Sequence, residues 1–310
     1  MNAPEGLGIR AAANVNSDPR RVNADLHCHS QMSDGVLTPA EVVRRAHAHG
    51  VQIHALTDHD ELGGLAEAAA EAERCGMPFV PGVEVSVTWG GETIHIVGLR
   101  IDPENRQLAE GLERTRAGRD ARAREIAAQL ERAGIPDAYE GARRYVGNPA
   151  MIARPHFARH IVDLGICDSV GEVFGRFLVE GKPGYVPHRW AALDEAVRWI
   201  RDAGGTPVLA HPGRYRVDSG RLWALMSEFR DVGGIGIEVL SGSHTPSQFR
   251  EFAGHARDFG FLASRGSDFH APGESRVELG SLPPLPDSVV PVWADWPELA
   301  LVVDRIEAVR

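Results

Sequence analysis

The chain has 310 residues, of which 43 % are hydrophobic and 25 % charged, a balance ordinary for a folded domain with a sizeable core. Its formal net charge of −10 argues against a basic face for nucleic acid, duplex DNA included. No apolar run approaches the roughly 20 residues of a membrane helix. Three scattered cysteines, Cys28, Cys75 and Cys167, make no disulfide framework, so a cytoplasmic location without a membrane partner is expected.

Residues 1–21 are rich in Ala, Asn, Gly and Pro and lack an apolar segment. They read as a disordered extension and not as a signal peptide. Ala24 to Leu26 ends a strand that leads into His27. Thr38-Pro39-Ala40-Glu41 is a capping box with proline at the first helical position, which predicts a helix to about His49 with a stop at Gly50. Val51 to Leu56 reads as a strand and Leu62 to Arg74 as a helix. Pro78 to Val87 is extended, Trp89-Gly90-Gly91-Glu92 is a hairpin turn, and Thr93 to Leu99 is the returning strand. From residue 102 the pattern turns helical and Arg-rich, and no strand is expected before Thr206. The alternation then resumes, with strands at 206–210, 236–240 and 261–264, and helices near 191–202, 222–229 and 246–259. Strands alternating with helices predict an α/β fold with a mainly parallel sheet.

Nine side chains form a spaced series: His27, His29 and Asp34; His59; Glu84; His95; His211; Asp268 and His270. Imidazoles and carboxylates are the usual ligands of catalytic divalent metals. Each alone has a plainer explanation. Asp34 sits in a Ser-Asp-Gly turn, and His95 could be a core histidine. Glu84 is harder to explain away, because an unpaired carboxylate in a run of valines is costly to bury. Nine donors are too many for one ion, so two or three are expected. Most follow the ends of strands, which suits the rim of a (β/α) barrel better than the single crevice of an open sheet. Cys28 reads as a buried filler facing away from the site. His47, His49, His54, His160, His188 and His255 read as packing or surface residues.

His27-Cys28-His29 with Asp34, Thr57-Asp58-His59, Glu84, His95, Ala210-His211-Pro212 and Gly266-Ser267-Asp268-Phe269-His270 together resemble the motifs of the PHP (polymerase and histidinol phosphatase) superfamily. Ala153-Arg154-Pro155-His156-Phe157 and Glu180-Gly181-Lys182-Pro183-Gly184 are similar to its branch of nucleoside bisphosphate phosphatases and 5′-to-3′ exoribonucleases. The resemblance implies a distorted seven-stranded (β/α) barrel formed by residues 22–101 and 188–310, with 102–187 as a helical insertion. It also implies a trinuclear site. The first ion would take His27, His29, Glu84 and Asp268, the second Glu84, His95 and His211, the third Asp34, His59 and His270. Manganese is the first choice of metal, with iron or zinc as alternatives.

The expected chemistry is hydrolysis of the 3′-phosphoester of 5′-phosphorylated nucleotides by a water that two metals share and acidify. The substrate would be a small bisphosphonucleoside or the 5′ end of an RNA. Asp58 is expected to orient a neighbouring imidazole, with a helix cap as the plainer reading. Arg154 and His156 are expected at the second phosphate, His156 also at the reaction itself. Lys182, Arg214 and His244 are further candidates. The alternatives are a histidinol-phosphate phosphatase and a non-catalytic PHP-like module.

Overall fold

The computed structural model describes residues 18–308. The extension expected at 1–21 therefore lies outside the described residues except for its last four. Those four are ordered, which corrects the expectation there. Asp18 caps a short 3-10 turn, Pro19–Arg21, and the buried Trp293 indole N–H donates to the Pro19 carbonyl at 2.9 Å.

Strand β1 (Ala24–Asp25) is followed by helix α1 (Pro39–Ala48), where Thr38 and Glu41 form the expected reciprocal cap. Next come β2 (Ile53–Leu56), α2 (Leu65–Cys75), β3 (Phe79–Trp89) and β4 (Glu92–Leu99). Helix α2 starts later than the predicted Leu62, because the Glu61 carboxylate accepts the N–H groups of Leu62 and Gly63 in a turn. After it lie α3 (Arg106–Arg116), α4 (Arg119–Arg132), α5 (Ala138–Arg143), α6 (Arg154–Asp163) and α7 (Val170–Val173), which runs into a π-helical turn at Phe174–Leu178. The second half holds α8 (Leu193–Asp202), β5 (Thr206–Leu209), α9 (Ser219–Asp231), β6 (Gly236–Ser241), α10 (Pro246–Phe259), β7 (Leu262–Gly266) and α11 (Pro297–Ala308). Among the described residues no helix is long and apolar enough to cross a membrane.

The seven strands form one sheet in sequence order. Strand β4 runs against β3 and β5, and the other neighbours are parallel. The first and last strands meet. Leu26 N–H donates to Arg265 O at 3.1 Å, Asp268 N–H to His27 O at 2.9 Å and His29 N–H to Phe269 O at 2.8 Å. The sheet is thereby a nearly closed barrel. Gly266 permits this closure, since a Cβ there would stand 2.2 Å from the His27 Cβ. Strands β2 and β6 are buried at every residue, as expected where helices cover a parallel sheet outside and side chains fill it inside.

A second core, with Ile126, Leu130, Phe157, Ile161 and Leu178, gathers α4 to α7 and the π turn. It begins at Ala123 and ends at Val186. The boundary expected at 102 is thus too early for packing: Leu108 and Leu112 of α3 sit in the barrel core. Helix α3 lies against Trp199 of α8, and Gly111 allows the approach, since a Cβ there would meet the indole at 2.5 Å.

Candidate metal centre

Barrel closure brings the nine donors to one rim. His27 and His29 follow β1, His59 follows β2, His211 follows β5, and Asp268 and His270 follow β7. Glu84 lies inside β3, paired with His59 across a parallel bridge. Strand β4 enters from the opposite direction, so its early residue His95 reaches the same rim. There its carbonyl accepts from Ala210 N–H at 3.1 Å, beside His211.

Four overlapping groups result: His29, Asp34, His59 and His270; His27, His29 and Asp268; His27, Glu84 and His211; His59, Glu84 and His95. Glu84 is the shared element. Its Oε2 stands 2.9 Å from His59 Nδ1 and 3.3 Å from both His27 Nε2 and His29 Nε2. Its Oε1 stands 2.9 Å from His95 Nδ1 and from His211 Nε2. The grouping differs from expectation: His29 also stands with Asp34, His59 and His270, while Glu84 joins His27 to His211 and His59 to His95 in place of grouping with His29 and Asp268 or with His95 and His211 together.

The donors fit metal ions better than they fit each other. His59 Nδ1 and Glu84 Oε2 are buried and only 2.9 Å apart, yet neither makes a hydrogen bond. Two polar atoms left this close without a hydrogen bond are spaced as two ligands of one ion would be. Atoms bound at about 2.0–2.2 Å around a single ion stand roughly 3–3.6 Å from one another. The separations here match that spacing, as do the 3.2 Å between His27 Nε2 and His29 Nε2 and the 3.4 Å between His270 Nε2 and Asp34 Oδ1.

Burial alone would raise the carboxyls. The imidazoles around them prevail and hold Glu84, Asp34 and Asp268 well below the usual range, so all three are anionic at neutral pH. Burial likewise opposes a charged His29, but Asp268 and Glu84 hold it up to about 10. Burial does prevail at His95, pushed down to about 4. The backbone is strained where it presents two donors. His211 has φ 27° and Asp268 φ 54°, which costs about 1–3 kcal/mol each for residues with a Cβ.

The remaining expected residues divide. Asp58 hydrogen-bonds no imidazole and caps no helix. It accepts from Ser30 N–H at 2.8 Å and from the hydroxyls of Ser30 and Ser33 at 2.6 Å. Ser33 Oγ stands 3.5 Å from His29 Nδ1, so Asp58 steadies the loop that carries His29 and Asp34. Arg154 and Arg214 line a cleft of about 850 Å³ that opens on the donor cluster. Arg214 pairs with Asp268 at 3.3 Å. Lys182 is exposed and away from the cleft, because its turn folds onto the Val179 carbonyl. His244 is buried, stacked on Phe252 at 4.7 Å, and accepts from Gly213 N–H at 3.0 Å. It shapes the His211 loop and is not placed for phosphate. His156 is wholly buried behind the cleft wall, with Nδ1 accepting from Ala153 N–H. Burial pushes its imidazole down to about 4, so it is a neutral cap of α6.

Sequence reasoning missed Glu238, whose carboxylate lies 2.7 Å from His27 Nδ1. The signal was available, since Glu238 is a lone carboxylate in an apolar strand, as Glu84 is. It also missed Arg119 and Arg122 of α4, which line the same cleft and stack on Trp190 at 4.6 and 5.3 Å. Nothing in an Arg-rich helix marks which arginines face inward. Burial, and then repulsion from Arg154 and Arg119, pushes Arg122 down to about 9. Of the three arginines, Arg119 is paired with Asp60, while the hydrogen bonds of Arg122 and Arg154 go to backbone carbonyls.

A family model described as PHP domain matches residues 25–203. The chain belongs to the PHP domain family. Among PHP relatives it is 53 % identical over 273 residues to a 3′,5′-nucleoside bisphosphate phosphatase of Chromobacterium violaceum, covering 88 % of this chain and 96 % of that one. It is 41 % identical over 283 residues to the 5′-3′ exoribonuclease Rnm of Escherichia coli, covering 91 % and 96 %. A solved structure from Chromobacterium violaceum, described as an amidohydrolase with bound sulfate and no metal, superposes with a TM-score of 0.86 at 52 % identity, covering 90 % of this chain and 96 % of that one. The nearly closed barrel and the rim of donors thus belong to a PHP enzyme of phosphoester hydrolysis.

Proposed function

We propose that this protein hydrolyses the 3′-phosphoester of 5′-phosphorylated nucleotides, either free 3′,5′-bisphosphonucleosides or the 5′ ends of short RNA. The observation that carries the reading is a single cleft with two unlike walls. One side is lined by the outer donors Asp34, His59, His95, Asp268 and His270, and the same cleft is lined by Arg119, Arg122 and Arg154. A substrate with two phosphates suits both at once. The 53 % identical relative acts, by its name, on such a substrate.

Two or three divalent ions, manganese first, would neutralise the scissile phosphate and acidify a water. The proposed ligands are His27, His29, Asp34, His59, Glu84, His95, His211, Asp268 and His270. The protein's own part is to fix both ends of the substrate. Arg154 and Arg122 have carbonyl and aromatic partners here, Leu178 O and Phe174 for one, Val186 O and Trp190 for the other. Their guanidiniums keep donors and charge for the 5′-phosphate. Arg119 is partly committed to Asp60 and adds field more than contact. Arg214 lines the same cleft and is paired to Asp268, so it adds positive charge beside the donor cluster. Histidinol phosphate, with one phosphate and a cationic amine, suits three crowded arginines poorly. An intact donor set disfavours a non-catalytic module. Free Cys28, Cys75 and Cys167 suit a reducing cytoplasm.

Two measurements test this reading. Metal analysis of the purified protein is expected to find two to three divalent ions per chain, and a metal-free, fully active protein would refute the site. A panel of adenosine 3′,5′-bisphosphate, 5′-phosphorylated oligoribonucleotides and histidinol phosphate with Mn²⁺ is expected to rank histidinol phosphate last by kcat/KM. The opposite order would overturn the two-phosphate reading.

A further inference from the structure

We infer that Glu238 sets the proton position on His27 and the backbone of His211 together, so that two ion positions depend on one carboxylate. The inference rests on the ion-binding part of the proposed function. Glu238 sits in the middle of β6 and is 1 % exposed. Its Oε1 lies 2.7 Å from His27 Nδ1, and its Oε2 accepts the His211 backbone N–H at 2.7 Å. The two partners come from opposite sides of β6, one after β1 and one after β5.

The first contact decides which nitrogen of His27 is free. A neutral imidazole has one N–H and one lone pair. With the N–H on Nδ1 facing a carboxylate, the lone pair is on Nε2. That nitrogen is the one turned to His29 Nε2 at 3.2 Å, Glu84 Oε2 at 3.3 Å and Asp268 Oδ1 at 3.7 Å. The other tautomer would put a proton where an ion belongs. The second contact steadies a strained residue. His211 has φ 27° and ψ 54°, and its N–H is held by Glu238 while its Nε2 stands 2.9 Å from Glu84 Oε1. The His27 and His211 rings stack at 5.5 Å, so a shift of the carboxylate displaces both.

Both partners of Glu238 are donors, and this makes its amide a poor substitute. Glutamine offers one acceptor and one donor. In one orientation its NH2 faces the His211 N–H. In the other it donates to His27 Nδ1, which moves the histidine proton to Nε2. Either way one donor group is spoiled.

The test is titration of metal-stripped protein with Mn²⁺, followed by equilibrium dialysis and by the paramagnetic resonance of free Mn²⁺. Glu238→Gln is expected to weaken the tightest class of sites about tenfold to a hundredfold, while the stripped variant keeps its circular dichroism. A nitrogen-15 spectrum of the zinc-loaded protein is expected to lose the His27 Nδ1–H signal. Glu238→Asp keeps the charge but cannot span both partners, so its affinity is expected to fall between those of wild type and Glu238→Gln. Wild-type affinity in both variants overturns the inference, as does a failure of both stripped variants to fold, which would make Glu238 a core residue only. Failure of the wild type to bind any ion would instead overturn the metal reading itself, and is read separately from the variants.

Discussion

Glu84→Gln is expected to lower hydrolysis of any phosphoester by about a thousandfold, the scale of several kcal/mol of lost charge stabilisation. Glu84 stands within 3.3 Å of imidazole nitrogens from His27, His29, His59, His95 and His211. It joins two of the four donor groups, and each of them pairs an imidazole near Oε2 with one near Oε1. The amide would keep the shape and remove the charge, and its NH2 would point at imidazole lone pairs. Metal content should fall with activity, and near-ultraviolet circular dichroism should not change, since β3 is paired on both sides. Asp268→Asn is the informative comparison. Asp268 belongs to one group only, so this variant should lose activity while keeping more metal than Glu84→Gln. Full activity in Glu84→Gln would remove the shared-ligand reading.

Arg154→Ala should instead separate one substrate from another. KM for adenosine 3′,5′-bisphosphate is expected to rise about fiftyfold, as for loss of charged hydrogen bonds to phosphate. Hydrolysis of 4-nitrophenyl phosphate, which has no second phosphate, should change by about twofold or less. Arg154 opens α6, and its side chain is held against the Phe174 ring and the Leu178 carbonyl. It therefore reaches the cleft from the second core, whose packing is separate from that of the barrel. Equal losses on both substrates would show a structural role and would remove the anchor. A loss confined to the bisphosphate would tie the helical segment to substrate choice.

The two readings differ in how far they were visible beforehand. Thr38 and Glu41 and the Trp89–Glu92 turn bounded their elements correctly because capping and hairpin chemistry is local. Helix α3 was assigned to the wrong core because its apolar stripe, Leu108 and Leu112, would look the same on either one. Lys182 and His244 were placed near phosphate because they lie in loops rich in glycine, proline or serine. Lys182 faces outward there, and His244 turned inward to hold Gly213.

The sequence by itself determined the donor set and the barrel. Buried imidazoles and carboxylates at strand ends have few other uses, and strands alternating with helices have few other folds. Only the tertiary structure decided which arginines line the cleft and which carboxylate stands against His27 and His211. Arg119 and Arg122 are distant in the chain from Arg154 and ordinary in their own helices, and they come to line one cleft only in the folded helical segment. Glu238 meets His27 and His211 only because the ends of β1 and β5 are brought to β6 by the closed barrel. A long side chain's direction is set by what packs against it, and that is a property of the closed barrel and not of neighbouring residues.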